Sequence, residues 1–297
     1  MRTGCTAVCN RRAWIVCGRR ALAVVKTWFT PSGVRLRLRA QRSGRPNWLL
    51  IPGGPGLGSD SLFELADTMD VPGAIWMVDL PGDGSNVARG TAVDSDFDRW
   101  PGVLVEAVQT LTTTVCVGHS TGGMYLLATP EIEQHIAGLV LISTAPDSSW
   151  RERFKAMTTT CPLPAVEIAA KAYDLEKSNL RLRDLVMASA EWNFTSAGLL
   201  NGKRLLARLP YNYKATEWSA RVFDDNYSLR WWPKRVGTMI VSGELDRVVD
   251  QGCWAAPGFQ HENVIWKKIQ AAGHFPWIEN PESVRSAFAE LTGRMKW

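Results

Sequence analysis

TVCVGHSTGGMYLLA, residues 114–128, joins a short apolar, β-branched run to a helical pattern through a turn that contains G-x-S-x-G. The spacing of this motif is weak evidence alone, so the surrounding sequence has to support it. Thr114–Val117 predicts a strand that ends at Gly118, and Gly123–Ala128 predicts the start of a helix. A serine at so sharp a turn is strained, and only glycine lets strand and helix approach there. Ser120 is therefore the candidate nucleophile, and the alternative is a serine in an ordinary strand-to-helix turn.

His274 is the best candidate for the base that such a serine needs, since a hydroxyl is a poor nucleophile until a base accepts its proton. The chain has four histidines. His274 follows the apolar run Val264–Lys268 and precedes a helical segment, which predicts a loop at the carboxyl end of a strand. His119 adjoins the serine and is too close in sequence to reach its hydroxyl. The other two, His135 and His261, lie at a helix end and before a strand, and a capping or merely exposed role is the alternative for His274.

The acid that orients this histidine is expected at the end of a strand between the serine and the histidine in chain order. Asp246 meets this condition, because it follows the apolar run Met239–Val241. The 28 positions from Asp246 to the candidate base accommodate a crossover and one strand. Asp147, at the end of the preceding strand, is the second choice, and Asp250 and Glu244 are weaker candidates because of their places in the loop.

A second glycine-rich turn, Ile-Pro-Gly-Gly-Pro-Gly at 51–56, also follows a predicted strand. Glycines let a backbone approach a ligand closely, so the N–H of Gly54 is a candidate oxyanion donor. The N–H of Thr121, at the start of the predicted helix, is the other. The alternative is a plain turn, and the motif lacks the length and the Lys-Ser/Thr pair of a nucleotide-binding loop.

Short apolar runs alternate with helix-length segments along most of the chain, which predicts an α/β fold with a mainly parallel sheet and helices on both faces. The alternating pattern of Val34–Arg39 predicts an edge strand. The other predicted strands are Trp48–Ile51, Ala74–Val78, Val115–Val117, Leu139–Ile142, Met239–Val241 and Val264–Lys268. The predicted helices are Ser61–Met69, Phe97–Leu111, Gly123–His135 and Pro281–Arg294.

The alternation stops between residues 148 and 232, where helix formers and five tryptophans predict an inserted helical cap. The α/β core would then consist of 25–147 and 233–297. Such an insertion lies over the carboxyl ends of the strands, where open α/β sheets bind ligands. Trp192 is therefore a candidate substrate-binding residue, and its neighbour Glu191 a candidate carboxylate for the substrate. The excess of Arg and Lys in the insertion could favour a substrate with an acidic group, although a solvated face is the simpler explanation.

Charge is unevenly distributed along the 297 residues, whose formal net charge is +5. Residues 1–59 hold 11 Lys and Arg and no acidic residue, whereas residues 60–147 hold 2 against 13. No nucleic-acid module accompanies the basic segment, so we expect a solvated face and no nucleic-acid partner. Residues 1–24 show no clear periodicity and are expected to form a basic, poorly ordered and dispensable extension.

No uninterrupted apolar stretch approaches the roughly 20 residues that a membrane-spanning helix needs, and no export signal is evident. Six cysteines without CxxC spacing fit reduced thiols in a cytoplasm. No cluster of ligands suggests a metal, and the chemistry outlined above needs neither a metal nor an organic cofactor. The expected partner is a small-molecule or short-peptide substrate, and the oligomeric state is open.

Four motifs in this order resemble the α/β-hydrolase superfamily over roughly residues 26–295. They are GGPG at 53–56, DLPGDGSN at 79–86, GHSTGG at 118–123, and GELD at 243–246 with GHFPWIENPESV at 273–284. GGPG and the inserted cap are most similar to the proline iminopeptidase branch, whose members cleave an N-terminal proline from peptides. The resemblance implies a triad of Ser120, Asp246 and His274, with Gly54 and Thr121 as oxyanion donors.

Two residues depart from that branch. Pro52 precedes GGPG where histidine is usual, and Arg247 follows the candidate acid in a branch whose aminopeptidases need acidic residues to hold the substrate's amine. Three functions therefore stay open. The first is a serine hydrolase acting on an ester, amide or similar carbonyl of a small molecule, and the second is an iminopeptidase-like aminopeptidase. The third, a non-catalytic binding protein on the same fold, is disfavoured because it would not need all three triad residues.

Overall fold

The computed structural model describes residues 26–87 and 94–295, so the predicted extension at 1–24 lies outside the described residues. Its centre is an eight-stranded sheet in the order β1-β2-β4-β3-β5-β6-β7-β8. The strands are β1 (Thr27–Phe29), β2 (Arg35–Gln41), β3 (Asn47–Ile51), β4 (Ala74–Asp79), β5 (Thr114–His119), β6 (Ile136–Ile142), β7 (Gly237–Gly243) and β8 (Val264–Ile269).

From β4 to β8 all neighbouring strands are parallel, and only β1 and β2 run antiparallel to their neighbours. The mainly parallel sheet agrees with the alternation of strands and helices in the sequence. One detail was wrong: β2, predicted as an edge strand, is second in the sheet because β1 pairs along its outer side. Strand β1 has only three residues, one of them polar. So short a segment shows too little periodicity to be predicted from the sequence.

Helices cover both faces of the sheet, and a helical segment separates β6 from β7. The α-helices are α1 (Phe63–Thr68), α2 (Trp100–Gln109), α3 (Thr121–Leu127), α4 (Trp150–Thr160), α5 (Pro164–Leu175), α6 (Asn179–Ala188), α7 (Ala190–Asn193), α8 (Leu199–Ala207), α9 (Tyr213–Trp218), α10 (Pro276–Glu279) and α11 (Pro281–Arg294). Helices α4 to α9 make up the segment that the sequence predicts as an insertion.

The predicted helix Gly123–His135 is divided in the structure. Helix α3 ends at Leu127, and Pro130–His135 forms a separate 3₁₀ helix. Proline cannot donate the N–H that would continue α3, and its ring clashes with the preceding turn. The C-terminal helix α11, by contrast, has the predicted bounds, because Asn280 caps its first turn and Pro281 occupies its first position.

The core consists of two apolar layers, one on each side of the sheet. Along β3, Trp48 and Leu50 pack on the side of α1 and α11, whereas Leu49 and Ile51 pack on the side of α2 and α3. All four side chains are fully buried. A central parallel strand covered on both faces is therefore apolar at every position, which explains why its sequence shows no alternation.

Arginines of β2 are paired with carboxylates of the acidic segment that follows them. Asp79, at the end of β4, is 1% exposed and lies 2.9 Å from Arg35 Nη2 and 3.1 Å from Arg37 Nη2. Its other oxygen accepts the N–H of Ser59 at 2.7 Å. The expectation of a merely solvated face is thus wrong for these arginines, because their partners come from the next strand of the sheet.

Within residues 26–87 and 94–295, no helix is both long and apolar enough to cross a bilayer.

We expect Asp79→Ala to lower the free energy of unfolding by about 3–5 kcal/mol, because it leaves the largely buried Arg35 without its carboxylate and Arg37 with Asp60 alone. Urea unfolding followed by circular dichroism measures this change. The matched control is Asp67→Ala, whose carboxylate pairs with Arg39 but is 58% exposed. That change should cost about 0–1 kcal/mol. Equal losses in the two variants would contradict the structural role given to Asp79.

Candidate active site

Ser120 occupies the sharp turn between β5 and α3. Its backbone has φ 50° and ψ −123°, a left-handed conformation that side-chain-bearing residues rarely adopt. Its N–H donates to Ile142 O at 2.8 Å, and the Thr144 hydroxyl donates to Ser120 O at 2.7 Å. Neighbouring strand β6 and the residues after it therefore hold the turn in this strained form.

The glycines of the turn are required by close packing. A Cβ on Gly118 would lie 2.6 Å from the Cα of Gly123, and one on Gly122 would lie 2.5 Å from Pro52 O. Neither distance is tolerable for a carbon atom. The first glycine therefore lets β5 approach α3, and the second lets α3 approach the loop after β3.

That loop carries the second glycine-rich motif and lies directly against the serine. A Cβ on Gly53 would lie 2.6 Å from Ser120 Cβ and 3.1 Å from the Thr121 nitrogen. Thr121 is the first residue of α3, so its N–H has no acceptor within the helix. Gly54 and Thr121 both line one cavity with Ser120.

His274 and Asp246 form a buried pair at the carboxyl ends of β8 and β7. His274 Nδ1 lies 3.0 Å and 3.1 Å from the two carboxylate oxygens, and the side chains are 4% and 1% exposed. A carboxylate can only accept, so Nδ1 carries the proton and donates it. In the neutral ring this tautomer leaves the other nitrogen, Nε2, as the one that accepts a proton.

Backbone groups fix both members of this pair. Asp246 Oδ1 accepts the N–H groups of Val248 and Val249 at 2.9 and 3.1 Å. The N–H of His274 donates to Asn193 O at 2.8 Å, and its carbonyl accepts from His119 Nε2 at 3.1 Å. Both the carboxylate and the imidazole are thereby held in one orientation.

His119 contacts the backbone of His274, which the sequence did not indicate. It is buried, and that burial, with a smaller contribution from neighbouring His274, holds the pKa of His119 well below its usual value. The ring is therefore neutral, and its Nε2–H donates to the His274 carbonyl. In this orientation Nε2 of His119 is engaged by the His274 backbone rather than by a side chain.

A cavity of about 370 Å³ brings Ser120 and His274 together with the glycine-rich loop. This volume is within the usual range for small-molecule sites. The lining is largely apolar on the side of the insertion, with Trp150, Phe154, Val166, Leu185, Val186 and Trp192, and includes Leu57, Val248 and Phe275 on the side of the core.

Trp192 and Glu191 differ in where they point. Trp192 is buried, lines the cavity and donates its Nε1–H to Cys161 O at 2.9 Å. Glu191 is exposed on another side of the short helix α7 and is not among the lining residues. Because successive helical residues point about 100° apart, Glu191 is not placed to meet a substrate in this cavity, contrary to the expectation from the sequence.

The carboxylate that does line the cavity is Asp224, which follows α9 and its π-helical continuation Ser219–Phe223. Its Oδ1 accepts from the Ser219 hydroxyl at 3.0 Å, and Arg151 Nη1 lies 3.6 Å from Oδ2. Burial raises the pKa of the Asp224 carboxyl. No sequence motif marks this residue, and only the packing of the insertion brings it to the site.

Arg151, a basic residue of the insertion beside the cavity, is paired with carboxylates. Arg151 lies between Asp224 and Asp225, whose Oδ1 is 2.9 Å from Arg151 Nε. An adjoining outer cavity of about 610 Å³ shares the walls Trp150 and Phe154 and carries charges of both signs. Arg151 therefore gives no argument for an acidic substrate.

Asp147, the second choice for the acid, lies elsewhere. Its Oδ1 accepts the N–H of Ser149 at 2.9 Å just before α4, so it serves the start of that helix. In the part of the chain that the structure describes, no group of three or more His, Cys, Asp or Glu side chains is placed to hold a metal ion.

The sequence matches the family model described as alpha/beta hydrolase family over residues 48–287. The protein belongs to this family, and the predicted fold class is confirmed. No curated protein matches the chain in sequence.

Solved structures with the same fold include hydrolases of several kinds. An α/β fold family hydrolase from Bacillus anthracis str. Sterne has a TM-score of 0.71 at 15% identity and covers 90% of this chain and 98% of its own. An esterase from Exiguobacterium antarcticum has a TM-score of 0.66 at 15% identity, with 91% and 99% covered. A proline iminopeptidase-related protein from Thermus thermophilus has a TM-score of 0.65 at 18% identity, with 91% and 98% covered. At these identities the likeness shows the fold alone.

Asp83, in the 79–86 motif, binds the backbone of the glycine-rich loop 51–56. Its Oδ1 accepts the N–H of Gly56 at 2.8 Å. Burial, and then the charge of Asp79, raises the pKa of Asp83 to about 7, although N–H groups of Gly56, Gly58 and Gly84 act in the opposite direction. The folded protein therefore holds a proton on Asp83 at pH values where the unfolded chain has lost it.

Because the pKa of Asp83 is about 3.8 unfolded and about 7 folded, raising the pH through this window should lower stability. We expect the contribution lost to reach up to about 4 kcal/mol above pH 7. Asp83→Asn keeps an acceptor for Gly56 without ionising, so its unfolding free energy should change less between pH 4 and pH 8. Parallel pH dependence of urea unfolding in wild type and Asp83→Asn would refute this.

Proposed function

We propose that this protein is a serine hydrolase that cleaves an ester, amide or similar carbonyl of a small molecule through an acyl-enzyme. Ser120 is the nucleophile, His274 the general base and Asp246 the acid that orients it. The backbone N–H groups of Gly54 and Thr121 are the oxyanion donors. Membership in a hydrolase family supports the hydrolytic activity, and the residues are assigned from geometry.

One observation carries the proposal. The pair of His274 and Asp246 is buried with Nδ1 3.0 Å from the carboxylate, and His274 lines the same cavity as Ser120 on its left-handed turn. A protonated Nδ1 leaves Nε2 free to accept the serine proton, which is the tautomer that general-base catalysis requires. The strained turn presents the hydroxyl at the cavity rather than to the core.

The proposed reaction has two halves. In the first, His274 Nε2 accepts the Ser120 proton while Oγ attacks the substrate carbonyl, and the N–H groups of Gly54 and Thr121 stabilise the oxyanion. The imidazolium, stabilised by Asp246, then gives its proton to the leaving group, which departs and leaves an acyl-serine. In the second half, water loses a proton to His274 and attacks the acyl carbon. The bond from the acyl carbon to Ser120 Oγ then breaks, His274 returns the proton to Oγ, and the acid is released.

The cavity lining points to the acyl portion of the substrate. Trp192, Phe154 and Val186 offer apolar surface beside the serine, and the cavity as a whole is more apolar than polar. A fully buried apolar group gains about 25 cal/mol per Å² of surface removed from water. This cavity therefore favours substrates that carry a medium-sized aliphatic or aromatic acyl group.

Substitution of the three residues should separate their roles. Ser120→Ala and His274→Ala should each lower the kcat of p-nitrophenyl ester hydrolysis by about 10⁶-fold, and Asp246→Asn by about 10⁴-fold, because the asparagine alters the tautomer but removes no reacting group. A fluorophosphonate should label the wild-type protein but not the Ser120→Ala variant.

Asp147→Asn is the control for the acid, since that carboxylate lies at the start of α4. It should hydrolyse the ester at the wild-type rate. A severe defect in Asp147→Asn with a mild one in Asp246→Asn would show that the acid is misassigned. A wild-type rate of ester hydrolysis in Ser120→Ala would refute the proposed function.

A second candidate function, an aminopeptidase of the iminopeptidase kind, is favoured by one observation. Asp224 supplies a partly buried carboxylate at the cavity wall, where it could meet the free amine of a peptide. Against this, Arg151 already lies 3.6 Å from that carboxylate and opposes its charge. The esterase-like function therefore fits the cavity better.

Rates on p-nitrophenyl esters and on proline-naphthylamide test the choice. We expect the esters to have the higher kcat/KM, and Asp224→Asn to leave ester hydrolysis within about threefold, since the lost charge touches no part of an uncharged ester. Asp225→Asn, which removes the other and 61% exposed partner of Arg151, is the matched control. A preference for the proline amide that Asp224→Asn alone removes would establish the aminopeptidase.

A further inference from the structure

Three consecutive residues of the insertion contact the loop that carries His274. Asn193 O accepts the His274 N–H at 2.8 Å, and the ring of Phe194 stacks on Phe275 with centroids 5.0 Å apart and planes 24° apart. Thr195 follows and is bonded to Glu279, four residues after Phe275. The segment 193–195 therefore runs along the histidine loop and contacts it at each residue.

Glu279, the last residue of α10, joins the two segments. Its Oε1 accepts both the N–H of Thr195 at 2.8 Å and the Thr195 hydroxyl at 2.6 Å. Its Oε2 accepts the N–H of Gly273 at 2.6 Å. One carboxylate thus satisfies three donors, two from the insertion and one from the residue that precedes His274.

The two segments pack closely around this carboxylate. A Cβ on Gly273 would lie 2.6 Å from Asn193 O, and one on Gly198 would lie 2.5 Å from the Cγ of Glu279. Both glycines are buried. The carboxylate therefore lies between the two segments and bonds both of them. It fixes their relative position, and they fix its orientation.

We propose that Glu279 is a positioning residue for His274: by binding Thr195 and Gly273 together it docks the insertion onto the histidine loop and sets the place of the imidazole. This inference rests on the proposed function of His274. Glu279 does not line the cavity, so it acts through the backbone of the loop. The insertion then does more than cover the serine, because its segment 193–195 supplies the surface against which the base is held.

Glu279→Gln is the primary test. An amide can accept with only one of its two ends, so its N–H₂ group must face either the Gly273 donor or the Thr195 donors. We expect the loop to shift, and the rate of fluorophosphonate labelling of Ser120 and the kcat for a p-nitrophenyl ester both to fall on the order of 10–100-fold, with KM unchanged. The labelling rate depends on proton acceptance by His274 and not on the choice of substrate.

Glu290→Gln is the matched control. That carboxylate bonds Lys267 of β8 and Arg294, so the variant loses a contact between α11 and the sheet without touching the histidine loop. Both variants are assayed at 25 °C, below their unfolding midpoints measured by circular dichroism. If Glu279 had only a structural role, the two variants could have lower unfolding midpoints, but they would label at equal rates. Equal labelling rates in Glu279→Gln and Glu290→Gln would overturn the inference.

Thr195→Val and Thr195→Ser form a second pair, which keeps the test decisive if Glu279→Gln does not fold. Valine removes the hydroxyl that donates to Glu279, whereas serine retains it. We expect slower labelling in Thr195→Val and its recovery in Thr195→Ser; equal rates in the pair would count against the inference.

Wild-type labelling in His274→Ala would mean that the proposed function fails. Loss of labelling in His274→Ala together with wild-type labelling in Glu279→Gln would mean that the function stands and the positioning role of Glu279 fails.

Discussion

The close approach of the loop after β3 to the turn after β5 is the constraint on which the rest of the site depends. Gly53 lies so near Ser120 that not even a methyl group fits between them, and Gly122 lies equally close to Pro52 O. The strained backbone of Ser120 is tolerated because β6 and Thr144 hold the turn from the other side. Two adjacent parallel strands that end at one edge therefore place a hydroxyl and two glycine-rich backbones within a few ångströms.

Much of this arrangement was predictable from the sequence, since it depends on local order. Six apolar runs correspond to strands, and Asp246 and His274 follow two of them, so their loops had to meet at one sheet edge. What could not be predicted depends on contacts between distant segments. Asp224 reaches the cavity, and Glu191 turns away from it, only because of how short helices pack on one another. Glu279 sits in a motif that the sequence showed, but its partner Thr195 is 84 residues away.

The insertion contributes to the site in two physically different ways. Apolar side chains such as Trp192 form the wall of the cavity, where shape and burial act on whatever molecule enters. The backbone of Asn193 instead bonds the N–H of His274, which acts on the protein itself. Changes of side chain in the wall can therefore alter selectivity while the 193–195 backbone stays in place. Under the proposed function, this separation lets wall residues change with the substrate while the bond to His274 is kept.

The order of strands in the sheet also determines when such a site can come into being. From β5 onward each new strand adds beside the previous one, so that β6, β7 and β8 extend the sheet in a single direction as the chain lengthens. Domains begin to fold while the ribosome is still adding residues. A nascent chain that has completed β6 already holds its serine turn, yet the histidine arrives more than a hundred residues later, after β8. Under the proposed function, the serine is therefore present during synthesis without its base until β8 has docked.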